Sequence, residues 1–302
     1  MEGVNEVMTQ HFGALEAGGT KMVLSLLDGE GKMLERMAIP TRTPEETMPE
    51  MLGFFRAHPV DAVGIGCFGP LDLNPESATF GSITATPKLA WRNYPILHAF
   101  KEALHVPVGI DTDVNAAAIA EAKLGAARGL SSCLYVTVGT GIGGGVFIGG
   151  KPVHGLVHPE VGHQLMRQAE GDPAPEGFCP YHKGCLEGLA SGPAIEKRWG
   201  VSAKELPHDH PAWALESDYL AQMCVNAMMT FSPEKIILGG GVMQQKFLFP
   251  IIREKTVKLL GGYICSPEVD AGLENYIVEP GLDVHSGVMG AYLLAREALE
   301  SA

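Results

Sequence analysis

Val138-Gly139-Thr140-Gly141-Ile142-Gly143-Gly144-Gly145 is the stretch on which the architecture turns, and Glu16-Ala17-Gly18-Gly19-Thr20-Lys21 is its counterpart near the start of the chain. Each glycine turn follows a strand-like run, residues 12–17 in the first case and 134–138 in the second. Each is followed by two more such runs, 22–27 and 33–39 after the first, 145–148 and 151–153 after the second. Working outward, Thr43-Pro44-Glu45-Glu46 carries the marks of a helix start, with Thr as cap, Pro at the first helical position and Glu46 closing a capping box. Strands are expected at 62–66 and 106–110 and a helix at 114–127. The second half repeats this order after a long insertion, with helices at 186–199 and 212–231, a strand at 235–238, a helix at 247–260, a strand at 276–279 and a last helix at 286–299. Three hairpin-linked strands followed by alternating helices and strands, twice over, predict a duplicated α/β fold of two domains with a ligand cleft between them. The expected division is residues 1–113, completed by the C-terminal helix 286–302, and residues 114–285 with an insertion at about 154–190.

Composition agrees with that size and class. The chain has 302 residues, 46% hydrophobic and 19% charged, enough for two ordinary domains with cores of their own. A net charge of −13 argues against a nucleic-acid partner, which needs a basic face. Residues 129–150 hold no charge and could be taken for a membrane span, but eight glycines make a helix there poor, so two strands around a turn are expected. The N-terminus lacks a secretory leader, and a cytoplasmic location with no membrane partner is the expectation. Of six cysteines, Cys67, Cys133, Cys224 and Cys265 read as buried small hydrophobes, whereas Cys179 and Cys185 sit among histidines.

Glycine lets a main chain approach phosphate closely, and Gly18-Gly19-Thr20-Lys21 adds a hydroxyl and a cation. Gly139 to Gly145 offers a second cradle, and Gly239-Gly240-Gly241 follows a strand where adenine or ribose would lie flat. No Walker A loop is present, and Gly141 to Gly145 does not open a helix as a dinucleotide fingerprint would. Cys179-x₂-His182-x₂-Cys185, with His163 as a fourth ligand, predicts a closed tetrahedral zinc site. The remaining histidines, His154, His158, His208 and His210, read as surface residues.

Taken together, the Gly-Gly-Thr-Lys turn, Asp113-Val114-Asn115-Ala116-Ala117, the Gly139 to Gly145 loop, Glu160-Val161-Gly162-His163 and Gly239-Gly240-Gly241 resemble the ROK family of sugar kinases and sugar-responsive regulators. Glu16, Pro87-Lys88-Leu89-Ala90-Trp91 and Cys179-Pro180-Tyr181-His182 are most similar to its bacterial fructokinase branch. The resemblance implies an actin-like ATPase (ribonuclease H-like) fold, transfer of the ATP γ-phosphoryl group to a hexose with Mg²⁺, a zinc site and a homodimer. It implies Asp113 as the catalytic base, and Gly69, Thr112, Asp113, Glu160, His163 and Glu187 around the sugar. For ATP the glycine turns offer Gly18, Gly19, Thr20, Lys21, Gly139, Gly141 and Gly240, and the resemblance implies Thr140, Pro193 and Gly241. Two departures stand out: Thr112 occupies a position that is often Asn, and His182 one that is often Cys. Fructose is the expected sugar; mannose, glucose or an N-acylated hexosamine are the alternatives within the class. A sugar-sensing regulator is the alternative outside it, and the 13 residues before Ala14 are too few for a helix-turn-helix domain there.

Overall fold

A computed structural model describes residues 10–302; residues 1–9, which belong to the stretch read above as lacking a leader, lie outside the described residues. The chain divides into two compact units. The first comprises Met1–Ala117, Leu156–His158 and Gly287–Ala302, and the second Ala118–Gly155 and Pro159–Ser286.

In the first unit, β1 (His11–Ala17), β2 (Lys21–Asp28), β3 (Met33–Pro40), β4 (Ala62–Cys67) and β5 (Val108–Thr112) form one sheet in the order β3-β2-β1-β4-β5. The hairpins β1–β2–β3 are antiparallel, while β4 and β5 run parallel to β1. Because strand side chains alternate faces, β1 feeds two cores. Leu15 and Ala17 join Met51, Phe54 and Phe55 of α1 (Pro44–Ala57) and Phe100 of α2 (Ile96–Leu104). Phe12 and Ala14 join Val288, Ala291 and Tyr292 from the C-terminal helix. The expected helix start holds, with Pro44 at its first position and the Thr43 N–H donating to Glu46 Oε2 at 3.3 Å. Gly64 of β4 has no room for a side chain, because the Ala291 carbonyl stands where a Cβ would go. That close approach is what lets the C-terminal helix pack its backbone directly against β4.

The second unit repeats the plan. Its strands are β6 (Ser132–Val138), β7 (Ile142–Ile148), β8 (Lys151–Pro152), β9 (Ile236–Gly239) and β10 (Ile277–Val278), in the order β10-β9-β6-β7-β8. Read from its other end this is the same topology, with β6 in the place of β1 and β9 in that of β4. The uncharged stretch at 129–150 is therefore the β6–β7 hairpin, and no helix among the described residues is long and apolar enough to cross a membrane. Leu134, Val136, Ile236 and Leu238 pack with Tyr219, Leu220 and Met223, all within one core.

Two helices follow in sequence from the first unit to the second and back. α3 (Asp113–Lys123) contains the boundary between Ala117 and Ala118, and α9 (Ser286–Glu300) starts at the return; α4 (Leu186–Ala190), α5 (Gly192–Trp199), α6 (Ala212–Thr230), α7 (Leu248–Leu260) and α8 (Pro267–Asp270) lie between them in sequence. Within the second unit the fully buried Glu121 carboxylate accepts the N–H groups of Ala126 (2.7 Å), Gly281 (2.9 Å) and Leu282 (3.1 Å) and the Ser286 hydroxyl (2.6 Å). It thereby ties α3 to the segment that precedes α9.

Three expectations fail in instructive ways. The helix read over 186–199 is two, α4 and α5, because Ser191 takes an extended conformation and its Oγ caps the new start by accepting the Ala194 N–H at 3.3 Å. Cys265 is exposed, its thiol 3.6 Å from the Gly262 carbonyl. His158 is buried, with 4% of its surface exposed, and its Nε2 accepts the Leu71 N–H at 3.1 Å. It belongs to the short excursion Leu156–His158 that joins the first unit, which no spacing rule would flag.

Candidate active site

In the first unit, Ala17 pairs with Cys67 and Cys67 with Thr112, so β1, β4 and β5 end level. The residues that follow, Gly18, Phe68 and Asp113, leave along one edge, the carboxyl edge at which parallel sheets hold ligands. Asp113 opens α3, half-buried, and its Oδ1 accepts the Val114 N–H at 2.9 Å. Burial, and then the Glu16 carboxylate, push its pKa up to about 6 against the pull of that N–H. A carboxyl of that kind is well matched to take a proton near neutrality. Asp111 is tied down locally: its Oδ1 accepts the Thr112 N–H at 2.7 Å and the Asn115 side-chain amide at 2.8 Å. Thr112 is buried, and its hydroxyl accepts the Asn115 N–H at 3.1 Å, the bond by which a side chain caps a helix.

The turn Gly18–Lys21 lies at the same edge. It is closed by the Gly18 N–H on the Lys21 carbonyl at 3.0 Å, and Thr41 fixes it by donating its hydroxyl to Gly18 (2.7 Å) and its N–H to Thr20 (3.0 Å). Thr20 and Lys21 are exposed. Gly69 follows β4, and a side chain there would stand 3.2 Å from the His158 ring.

In the second unit, Thr137 pairs with Gly239, so Gly139 and Gly240 emerge side by side. The Gly139 N–H closes on the Gly141 carbonyl at 2.9 Å, and the Gly192 N–H donates to Gly139 at 2.8 Å, which brings the Pro193 corner to the same turn. Gly240 has φ 91° and would clash with the Val138 backbone if it bore a Cβ, whose position falls 2.5 Å from it. Gly139, Thr140, Gly141, Pro193, Gly240 and Gly241 are thus gathered at one edge. Gly143 to Gly145, by contrast, belong to β7 and not to the loop. Gly144 is bare because Val161 packs on it, its Cγ2 2.8 Å from where a Cβ would sit. Of the run 139–145, only Gly139, Thr140 and Gly141 lie in the turn between β6 and β7.

Glu160 is exposed and His163 half-buried; they bracket the short 3-10 turn Val161–His163, with the His163 N–H on the Glu160 carbonyl at 2.9 Å. Glu187, on α4, accepts the Ile142 N–H through Oε2 at 3.0 Å and so sits on the Gly139–Gly141 turn. His163, Cys179, His182 and Cys185 form a cluster whose ligand atoms all lie within 4.8 Å of one another. Cys179 Sγ is 3.9 Å from His163 Nδ1 and 3.8 Å from His182 Nδ1, and Cys185 Sγ is 3.7 Å from His163 Nδ1. Tetrahedral bonds of about 2.3 Å to sulfur and about 2.0–2.1 Å to nitrogen imply S–N edges of about 3.6 Å, so the donor set and its spacing fit a four-coordinate cation.

The sequence model of the family of ROK proteins matches residues 12–298. The chain belongs to the ROK family. A fructokinase from Pediococcus pentosaceus is 46% identical over 291 residues, covering 96% of this chain and 99% of its own length. A fructokinase from Zymomonas mobilis is 45% identical over 295 residues, covering 95% and 97%. Among solved structures, a ROK hexokinase from Thermus thermophilus superposes with a TM-score of 0.77 at 30% identity, covering 97% of this chain and all of the other. These likenesses fit the duplicated two-unit α/β fold described above.

Sequence reasoning about this ROK chain missed two residues that the structure brings to the sites. His158 stands against Gly69, and its only mark in the sequence is its place two residues before Glu160. Lys88, noted only as part of a branch-like stretch, has its Cε 3.3 Å from where a Gly19 side chain would be.

Proposed function

We propose that this ROK protein is an ATP-dependent hexose kinase that phosphorylates D-fructose to fructose 6-phosphate. The observation that carries the kinase reading is Asp113, a carboxyl with its pKa raised to about 6, at the carboxyl edge of a parallel sheet beside a glycine turn. Phosphoryl transfer needs mainly positioning and charge neutralisation, together with a group to accept the hydroxyl proton. In this reading Asp113 takes the proton of the attacking sugar hydroxyl as its oxygen bonds to the γ-phosphorus and the bond to the ADP oxygen breaks. The near full-length kinship with fructokinases favours fructose over mannose, glucose or an N-acylated hexosamine.

Gly69, Thr112, Glu160, His163 and Glu187 are proposed to hold the sugar, whose hydroxyls suit carboxylate acceptors. Gly139–Gly141, Pro193 and Gly240–Gly241 are proposed for ATP, with Gly18–Lys21 for its phosphates and Mg²⁺ accompanying the nucleotide. We assign the His163, Cys179, His182 and Cys185 cluster to a structural zinc, which would supply a fixed charge and hold the insertion in place. His163 can serve both roles: its Nδ1 faces the two sulfurs, and a ring ligated through Nδ1 keeps the proton on Nε2, a donor for a sugar hydroxyl. A cytoplasmic homodimer completes the proposal.

A coupled ADP-release assay across fructose, mannose, glucose and N-acetylmannosamine tests it. Fructose should give the highest kcat/KM. Glucose outrunning fructose by about tenfold would overturn the sugar assignment and leave the kinase standing.

A further inference from the structure

The carboxyl edge of the first unit carries Glu16 and Asp113, and a polyphosphate arriving there meets carboxylates. We infer that Lys88 is a catalytic residue of this site, its ammonium lying over the Gly18–Lys21 turn to neutralise the phosphoryl group in transfer. This inference rests on the kinase reading and deepens it.

Three observations lead there. First, the Lys88 side chain reaches the turn: among the described residues its Cε is the neighbour within 4 Å that a Cβ on Gly19 would meet, at 3.3 Å, and Nζ is one bond further. Gly19 is not one of the left-handed glycines, so its backbone conformation does not require glycine. Its bare Cα lets the Lys88 stem lie close against the turn.

Second, the backbone that carries Lys88 is held firmly. Its N–H donates to the hydroxyl of the buried Thr86 at 3.3 Å, and its carbonyl accepts the Trp91 N–H at 2.8 Å. Trp91 is 1% exposed, donates its indole N–H to the Arg42 carbonyl at 2.7 Å, and meets Phe68 and Tyr94 edge-on. A lysine that merely decorated the surface would not need such an anchor. Third, the sequence reading gave a phosphate cation to Lys21, which is exposed at the start of β2, and the half-buried Lys88 lies against the same turn as a second cation.

In the transfer itself Lys88 neither gives nor takes a proton. The sugar oxygen bonds to the γ-phosphorus, the bond to the ADP oxygen breaks, and the hydroxyl proton passes to Asp113. Lys88 stays a cation throughout. Its attraction grows as charge collects on the oxygens in flight, which is the kind of interaction that raises kcat more than it lowers KM.

Lys88→Met keeps the aliphatic stem and removes the charge. It should lower kcat by about 10²–10³-fold, the scale of losing one charge-stabilising donor, with KM for fructose and for ATP within about threefold of wild type. Lys88→Arg should recover about tenfold or more of that loss. Affinity for ADP with aluminium fluoride and fructose, a mimic of the phosphoryl group in flight, should fall in Lys88→Met by about the same factor as kcat, while affinity for ADP alone changes by less than about threefold. Should Lys88→Met not fold, Lys88→Gln is read in its place. A kcat within about threefold of wild type, or an equal loss for ADP alone, overturns the assignment. If wild-type protein phosphorylates no hexose, it is the kinase reading that has failed, so the two failures are told apart by the wild-type lane.

Discussion

Asp113→Asn should abolish turnover and at the same time stabilise the protein. The amide keeps the size of the carboxyl but cannot take a proton, and loss of a general base costs about 10²–10⁴-fold in kcat. The stability gain follows from the environment that makes Asp113 a base. Burial and Glu16 raise its pKa from 3.8 to about 6. The folded state therefore holds this proton more tightly than the unfolded chain, and ionisation of Asp113 lowers stability as pH rises through that window. Raising the pKa that far costs on the order of 3 kcal/mol at pH 7.5, and the cost shrinks as pH falls through about 6 toward the ordinary carboxylate range. The neutral amide is spared that cost, so its thermal midpoint at pH 7.5 should exceed that of wild type by on the order of 5 °C, with the difference shrinking at pH 5. Thermal unfolding followed by circular dichroism at the two pH values, beside kcat from ADP release, measures both effects. A variant that keeps more than about a tenth of wild-type kcat, or that is less stable than wild type at pH 7.5, would refute the reasoning.

Further outcomes follow from the same geometry. In wild-type protein kcat/KM should rise with pH through about 6, as Asp113 ionises, and Asp113→Asn should lose that limb. Purified protein should carry about one zinc per chain, and Cys179→Ser should lose both the metal and fructose affinity; metal-free protein with an unchanged KM would remove zinc from the functional account. Glu121→Ala strips three backbone N–H groups and the Ser286 hydroxyl of their acceptor in a buried site, and should destabilise by about 3–5 kcal/mol in denaturant unfolding. A loss below about 1 kcal/mol would mean that water replaces the carboxylate there.

How much of this was legible depended on whether a residue's neighbours in space were also its neighbours in sequence. The two hairpins were legible because glycine turns and alternating strands are local features, and their recurrence gave the duplication that the matching sheet orders express. The cysteine and histidine cluster was legible because three of its four ligands fall within seven residues. α2 was not read at all: it starts after Pro95 with no side-chain cap and ends on His105 in a left-handed conformation where glycine would have been the mark. Ser191 hid inside an apparently continuous helix because its Oγ bond to Ala194 is a cap only if the chain bends there. Asp111 and Asp113 look alike as letters, and only the fold shows that the Asn115 side-chain amide is bonded to the first of them. His158 and Lys88 were illegible because each is explained by a glycine some 70 to 90 residues distant in the chain, Gly69 and Gly19. A bare Cα signals that something approaches, and only the folded chain says what.

The central claim is that this ROK chain moves a phosphoryl group from ATP to a fructose hydroxyl, and the most direct measurement is the identity of the product. Purified protein given ATP, Mg²⁺ and fructose should yield one fructose 6-phosphate for each ADP, seen by phosphorus NMR and mass spectrometry. ADP accompanied only by inorganic phosphate, or a sugar phosphate formed from glucose but not from fructose, would contradict it.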